Sequence, residues 1–332
     1  MPKFISTSIN EGRRSNTGRV KQRFWARSLL AGFLFINAAM VIIAPCVGNQ
    51  AASAVEPVLP QNPDRGVLPI ISGSKVLGPE SYGSCSAGAV LIPSAWYSRL
   101  TPYQRATRWV VIAKHCAPMY ASIHVGARSI GNVVWQSAAS DIELVRVSPE
   151  PENMRAVCVG SSHPEVCVLH PRYRPLANNR VFVSAGGGEA RMPVSGWQDA
   201  PDDERFCISA WRSGVKCLFS KMTLVPGMYQ GPHQHLLAAA SNRINSVAPG
   251  DSGGPALTTD RHLVGIISSG LGTERLPRYG FYYTPMRQVM QELHAYTLGP
   301  ADIPSAEDED NPLSLSDAGS DAGWALAPDI EE

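Results

Sequence analysis

Between residues 71 and 285 the apolar residues come in short runs. "AGAVLI" (87–92), "WVVIA" (109–113), "NVVWQ" (132–136), "IELVRV" (142–147), "RVFVSA" (180–185), "MPVSGW" (192–197), "LVGIIS" (263–268) and "GFYYTP" (280–285) are the main ones. Gly, Pro, Asn, Asp and Ser punctuate them. Many short strands at this spacing predict an all-β fold built as a barrel or sandwich. Only "MRQVMQELHAYTL" (286–298) has helical spacing, with Met286, Val289, Met290, Leu293 and Tyr296 on one face. A terminal helix packed on the β-domain is expected there.

The two ends have a different texture. Arg13, Arg14, Arg19, Lys21, Arg23 and Arg27 precede the apolar run "LLAGFLFINAAMVIIAP" (29–45), and Ala52-Ser53-Ala54 follows it. Residues 1–54 therefore read as a secretory signal cleaved after Ala54, or as a retained anchor. The run is short of the roughly 20 residues that a spanning helix needs. Residues 55–70 are proline-rich and read as a linker or short pro-segment. Residues 299–332 are acidic and Ser/Asp-rich, with too little apolar surface to offset ordering, and disorder is expected.

Composition narrows the function. The chain has 44% hydrophobic and 17% charged residues and a formal net charge of +1. No basic stripe interleaved with aromatics points to nucleic acid. Beyond Cys46 there are six cysteines: Cys85, Cys116, Cys158, Cys167, Cys207 and Cys217. An even number in an exported chain suggests three disulfides. The simplest of the possible pairings joins Cys158 to Cys167, Cys207 to Cys217 and Cys85 to Cys116. The sequence holds no C-x-x-C pair, so no metal site is expected. His233 and His235, two apart in "GPHQH", read as surface residues rather than a metal pair.

The stretch "NSVAPGDSGGPAL" (245–257) raises the chemical question. A serine hydroxyl is a weak nucleophile and needs a base, a group orienting that base, and donors for the developing oxyanion. Among eight histidines, His115 in "VVIAKHCA" ends an apolar strand and is followed at once by Cys116, where a disulfide would clamp the loop. Asp141 in "SAASDIELVRV" opens an amphipathic strand after small residues. Alone, each residue reads as ordinary structure: a histidine, a strand-start aspartate, a glycine turn. Together, in the order His, Asp, Ser, they form a coherent set.

That order and those contexts resemble the chymotrypsin-like serine proteases, and in flavour the secreted bacterial branch that includes the streptogrisins and α-lytic protease. "ISGSKVLGPESYGSCSAGAVL" (71–91) resembles the start of the mature bacterial enzymes, "AKHCA" the histidine box, and "SDIELVRV" the aspartate strand. "APGDSGGPAL" resembles the serine box and "GIISSGLG" (265–272) the substrate strand. The resemblance covers about residues 70–297. It implies two packed antiparallel six-stranded β-barrels with a C-terminal helix. Barrel one would span about 71–175, barrel two about 176–285, and the helix 286–298, within a protease domain of 71–298. It implies a serine endopeptidase acting through an acyl-enzyme, with Ser252 as nucleophile, His115 as base and Asp141 as its orienter. Gly250 and Ser252 would supply the oxyanion-hole N–H groups. Ser268, Ser269 and Gly270 would bind substrate backbone, and Ser246 would lie at the pocket floor. Cys85 with Cys116 would clamp the histidine loop.

Some positions depart from the family. Lys114 stands where a small residue is usual and is expected to point outward. The cysteine pair often found around the pocket is missing, since Ser246, Val247 and Ala248 lead into the serine box and "LGTERL" holds no partner. Pro69-Ile70-Ile71 lacks a basic residue before it, so Asp251 is expected to find a partner other than a freed amine, an arginine being the alternative. A neutral Ser246 argues against Lys or Arg recognition and for small or medium apolar side chains. The expected partners are protein or peptide substrates. No cofactor is expected, membrane contact only through an uncleaved N-terminal segment, and a monomer. Two rivals stand beside this reading. An α/β-hydrolase would need the order Ser, acid, His, and only His262 and His294 follow Ser252. A catalytically silent binding protein on the protease fold is the other.

Overall fold

The computed structural model describes residues 62–159, 166–224, 227–229, 231–271 and 279–302. The signal or anchor and most of the acidic tail lie outside them. No helix among the described residues is long and apolar enough to cross a membrane.

Six strands close into an antiparallel barrel: His262–Gly270, Pro255–Leu257, Phe206–Ala210, Gly214–Met222, Leu237–Ala240 and Gly280–Pro285. Closure comes from Ile267 opposite Tyr283 and Ser269 opposite Tyr282. The interior holds Phe206, Phe219, Phe281 and Tyr283, all fully buried, with their rings meeting edge-on or tilted. Such aromatic pairs add roughly 0.5–1.5 kcal/mol each beyond their buried area. The disulfide Cys207–Cys217 staples the hairpin that opens this barrel.

The first half of the chain forms an eight-stranded sheet that stays open. Its order is Tyr296–Leu298, Val90–Pro93, Arg108–Ile112, Glu143–Val147, Arg128–Gln136, Ser122–Val125, Lys75–Leu77 and Ser84–Ser86. One core packs within this sheet around Val90, Val110, Ile112, Val133 and Val145. A second layer joins it to the closed barrel through Leu91, Val111, Leu144, Leu257, Ile266 and the helix residues Met286 and Val289. These three buried clusters, rich in β-branched, aliphatic and aromatic side chains, account for the all-β architecture.

Three expectations need correction. The C-terminal helix is Met286–Glu292, not 286–298. Tyr296–Leu298 leaves the helix to pair with Val90–Pro93, and Tyr296 packs its ring on Trp109. The strands Ala177–Ala185 and Gly188–Pro193 do not join the closed barrel. They form a separate sheet with Ile70–Ser72, which runs parallel to the first of them. Finally, residues 62–70 are not linker. Arg65 is 1% exposed and Ile70 fully buried, because the segment is tied in by an ion pair between Arg65 and Glu189.

Cys85–Cys116 and Cys207–Cys217 are bonded as the simplest pairing has them. Cys158 and Cys167 stand directly opposite each other on the hairpin Glu150–Val159 and Val166–Arg174. Their side chains lie outside the described ones.

Candidate active site

His115 follows the strand Arg108–Ile112 in a short 3-10 turn, Lys114–Cys116. The Cys85–Cys116 bond fastens that turn to the neighbouring strand Ser84–Ser86. Asp141 lies two residues ahead of the strand Glu143–Val147, which pairs with Arg108–Ile112. The pairing brings the two residues together across 26 positions of sequence.

Asp141 is 1% exposed and surrounded by donors. His115 Nδ1 lies 2.8 Å from Oδ2, and the His115 backbone N–H donates to Oδ1 at 3.2 Å. The Ser268 hydroxyl donates to Oδ2 at 2.5 Å. Burial pushes the Asp141 carboxyl up. The hydrogen bonds and charge of His115, the Ser268 hydroxyl and the charge of His233 outweigh it and hold the group below the usual range. A carboxylate at Nδ1 selects the tautomer that leaves Nε2 as the acceptor.

Ser252 follows a turn at Gly250 and Asp251. Gly250 has φ +104°, and a Cβ there would lie 2.7 Å from Trp211 Nε1. Gly253 has φ +84°, and a Cβ there would lie 2.3 Å from the Ser86 carbonyl oxygen. Only glycine fits either position. Among the described residues, neither the Gly250 nor the Ser252 N–H donates to a protein acceptor. The Ser252 hydroxyl donates to the Ser268 carbonyl at 3.0 Å, not to His115.

Ser268, Ser269 and Gly270 end the strand His262–Gly270, which the strand Gly280–Pro285 covers on one edge. Ser246 is 1% exposed in the loop that leads to Gly250. Lys114 is turned away from the imidazole, its Nζ donating to the Ser137 carbonyl at 2.6 Å. Cys85, His115 and Cys116 bring three potential metal ligands within 4.8 Å of one another, but both thiols are spent in the disulfide.

Three residues here escape sequence reasoning. Ser86 donates its hydroxyl to the Gly250 carbonyl at 2.9 Å, accepts from the Trp211 N–H, and donates its own N–H to the Ser252 carbonyl. Its one signal in sequence is adjacency to Cys85. Ser213 caps Asp251, in place of the arginine that was the alternative: Asp251 takes hydrogen bonds from the Ser213 N–H and hydroxyl and from the Ala248 N–H. His233 is not a free surface residue. Its side chain is 19% exposed and its Nε2 lies 3.5 Å from Asp141 Oδ1. The Gln234 N–H bond to the Ala139 carbonyl brings that segment over the aspartate.

Residues 192–291 match the trypsin family model. No curated protein matches the sequence. Among solved structures, the chain is similar to Thermobifida fusca protease A, with 21% identity over 69% of this chain and 97% of that one, at a TM-score of 0.45. A Nocardiopsis protease has 21% identity over 69% of this chain and 98% of its own, also at 0.45. A Cellulomonas bogoriensis chymotrypsin has 20% identity over 69% and 97%, at 0.42. The match to the trypsin family model covers residues 192–291, which hold Ser252 and the closed barrel, and supports a serine-type peptidase.

Proposed function

We propose that the protein is an exported serine endopeptidase that cleaves peptide bonds through an acyl-enzyme on Ser252. The observation that carries this reading is the buried Asp141 carboxylate 2.8 Å from His115 Nδ1, opposite a serine loop whose Gly250 and Ser252 N–H groups donate to no acceptor among the described residues. The two disulfides support export, since such bonds persist in oxidising compartments.

The chemistry follows from the groups present. The Ser252 hydroxyl turns from the Ser268 carbonyl to His115 Nε2. Oγ attacks the scissile carbonyl carbon as its proton passes to Nε2. Asp141 stabilises the imidazolium without taking the proton. The Gly250 and Ser252 N–H groups receive the oxyanion, each worth roughly 3 kcal/mol in the transition state. The imidazolium gives its proton to the leaving amine as the C–N bond breaks. Water then attacks the ester with His115 as base, and the acid product and the free hydroxyl result. Substrate backbone would add along Ser268, Ser269 and Gly270 as an extra strand.

The test is covalent labelling of the purified chain with a fluorophosphonate probe, beside Ser252→Ala and His115→Ala. Labelling that requires both residues supports the reading. A folded native chain that resists the probe overturns it in favour of a silent binding protein.

A further inference from the structure

Asp251 is a second buried carboxylate of the serine loop, 1% exposed. Oδ1 accepts from the Ser213 N–H at 2.9 Å, and Oδ2 from the Ser213 hydroxyl at 2.6 Å and the Ala248 N–H at 2.7 Å. Among the described residues no Lys, Arg or His lies within ion-pair distance of it. Burial pushes its pKa up, and the donors from Ser213 and Ala248, with the charge of Lys216, oppose that. A buried carboxylate with no cation in ion-pair contact depends on its hydrogen-bond donors staying in place. Two of the three donors belong to one residue of one turn.

That turn, residues 211–213, joins the strands Phe206–Ala210 and Gly214–Met222, and an ion pair from elsewhere holds both legs. Arg65 Nε and Nη2 donate to Glu189 Oε2 and Oε1, each at 2.8 Å. Arg65 Nη2 also reaches the Ser209 hydroxyl on the first leg, at 3.2 Å. Glu189 Oε1 accepts from the Val215 N–H on the second leg, at 3.2 Å. Asn62 Nδ2 donates to Glu189 Oε2, and the Arg65 guanidinium lies 4.3 Å from the Phe182 ring centroid. A bidentate pair packed in this way has one geometry.

We propose that Arg65 and Glu189 are positioning residues for the nucleophile loop. They fix the 211–213 turn, the turn fixes Ser213 on Asp251, and Asp251 sets the peptides that carry the Gly250 and Ser252 N–H groups. The loop is thereby assembled in the continuous chain without a liberated amine. Ile70 N–H is already bonded to the Leu176 carbonyl, and Ile71 N–H to the Ser74 hydroxyl. The oxyanion-hole part of this inference rests on the peptidase reading. The loop-ordering part does not.

The test uses the full chain with Arg65→Met/Glu189→Met. Replacing a buried ion pair by apolar residues of similar volume is tolerated by many folds, while the donors and acceptors to Ser209 and Val215 are lost. Labelling of Ser252 by a fluorophosphonate should slow about a hundredfold, the size of one lost oxyanion-hole donor. Peptide hydrolysis should lose kcat with KM little changed. Hydrogen exchange should rise in peptides covering 211–217 and 246–254 and stay native over 108–117. Ser213→Ala should reproduce the loss with Arg65 and Glu189 intact, and should add little on top of the double variant. If the double variant does not fold, Ser213→Ala carries the test by the same three readouts. Native labelling with native exchange overturns the proposal and leaves the peptidase reading standing. If the native chain itself is not labelled in a His115-dependent way, the peptidase reading falls, and the exchange data alone decide whether Arg65 and Glu189 hold the loop.

Discussion

The Ser86 hydroxyl donates to the Gly250 carbonyl at 2.9 Å and so ties the histidine side of the site to the serine side. Ser86 directly follows Cys85, whose disulfide to Cys116 clamps the residue beside His115. The same hydroxyl accepts the Trp211 N–H, and the Ser86 N–H donates to the Ser252 carbonyl at 2.8 Å. One side chain therefore braces the peptide between Gly250 and Asp251. Ser86→Ala should cost about 1–3 kcal/mol of stability, because the buried Trp211 N–H loses its acceptor. It should lower kcat tenfold or more without moving KM by a similar factor. Chemical denaturation and steady-state kinetics check both numbers. An unchanged kcat would show that the Gly250 peptide keeps its orientation unaided.

Asp141→Asn keeps the size of the side chain and removes its charge. The amide offers a donor to His115 Nδ1 and so favours the tautomer with the proton on Nε2, which cannot accept from Ser252. A fall in kcat of about four orders of magnitude is expected. Ser268→Ala removes a neutral donor to the same carboxylate and should cost far less. Comparison of the two rates by single-turnover hydrolysis separates tautomer control from simple packing.

Glu143 is a buried acid beside the site that the mechanism does not use. It is fully buried; among the described residues its side chain accepts one hydrogen bond, from Gln136 Nε2 to Oε2 at 2.8 Å, and Oε1 has no partner. Burial, with the Asp141 charge adding and against the Gln136 bond and the Lys114 charge, pushes its pKa up to about 8. The folded state therefore holds a proton that the unfolded state releases near the ordinary glutamate value. Its contribution to stability is fully present below about pH 4.5. It falls by up to about 1.4 kcal/mol per pH unit as pH rises from there to about 8. Glu143→Gln should flatten this slope and raise the melting temperature at pH 9 more than at pH 5. Parallel slopes for the two proteins from thermal melts would place the proton elsewhere.

Much of the fold could be read from local pattern, because each strand's alternation is written in its own residues. His115 at the end of "WVVIA", Asp141 at the head of "IELVRV" and Ser252 in its glycine turn are local features of that kind. What escaped depends on distant partners. Periodicity carried the C-terminal helix through Tyr296, since that residue continues the apolar face. It could not register that the edge of Val90–Pro93 was waiting to pair with Tyr296–Leu298. Proline content made residues 62–70 look like a linker, whereas Glu189, 124 residues away from Arg65, buries them. Ser213 and His233 carry no local mark of their contacts with Asp251 and Asp141. Their roles exist only once the hairpins have closed.

Substrate preference is the remaining prediction. Ser246 is buried and neutral, in the loop ahead of Gly250 where the trypsin-like enzymes it resembles carry an acid. A buried Lys or Arg side chain from a substrate would need a charge partner, because an unpaired buried cation costs several kcal/mol. Serine supplies a dipole and no charge. The strand Gly280–Pro285 adds Phe281 and Tyr283 to the barrel interior, where both are fully buried, and turns Tyr282 toward the Met228 carbonyl. Cleavage should therefore follow small or medium apolar residues and fall at least tenfold for Lys and Arg. A peptide library read by mass spectrometry measures this directly. Cleavage confined to sites after Lys or Arg would mean that a carboxylate other than residue 246 reaches the pocket, and would sink the assignment of Ser246 as its floor.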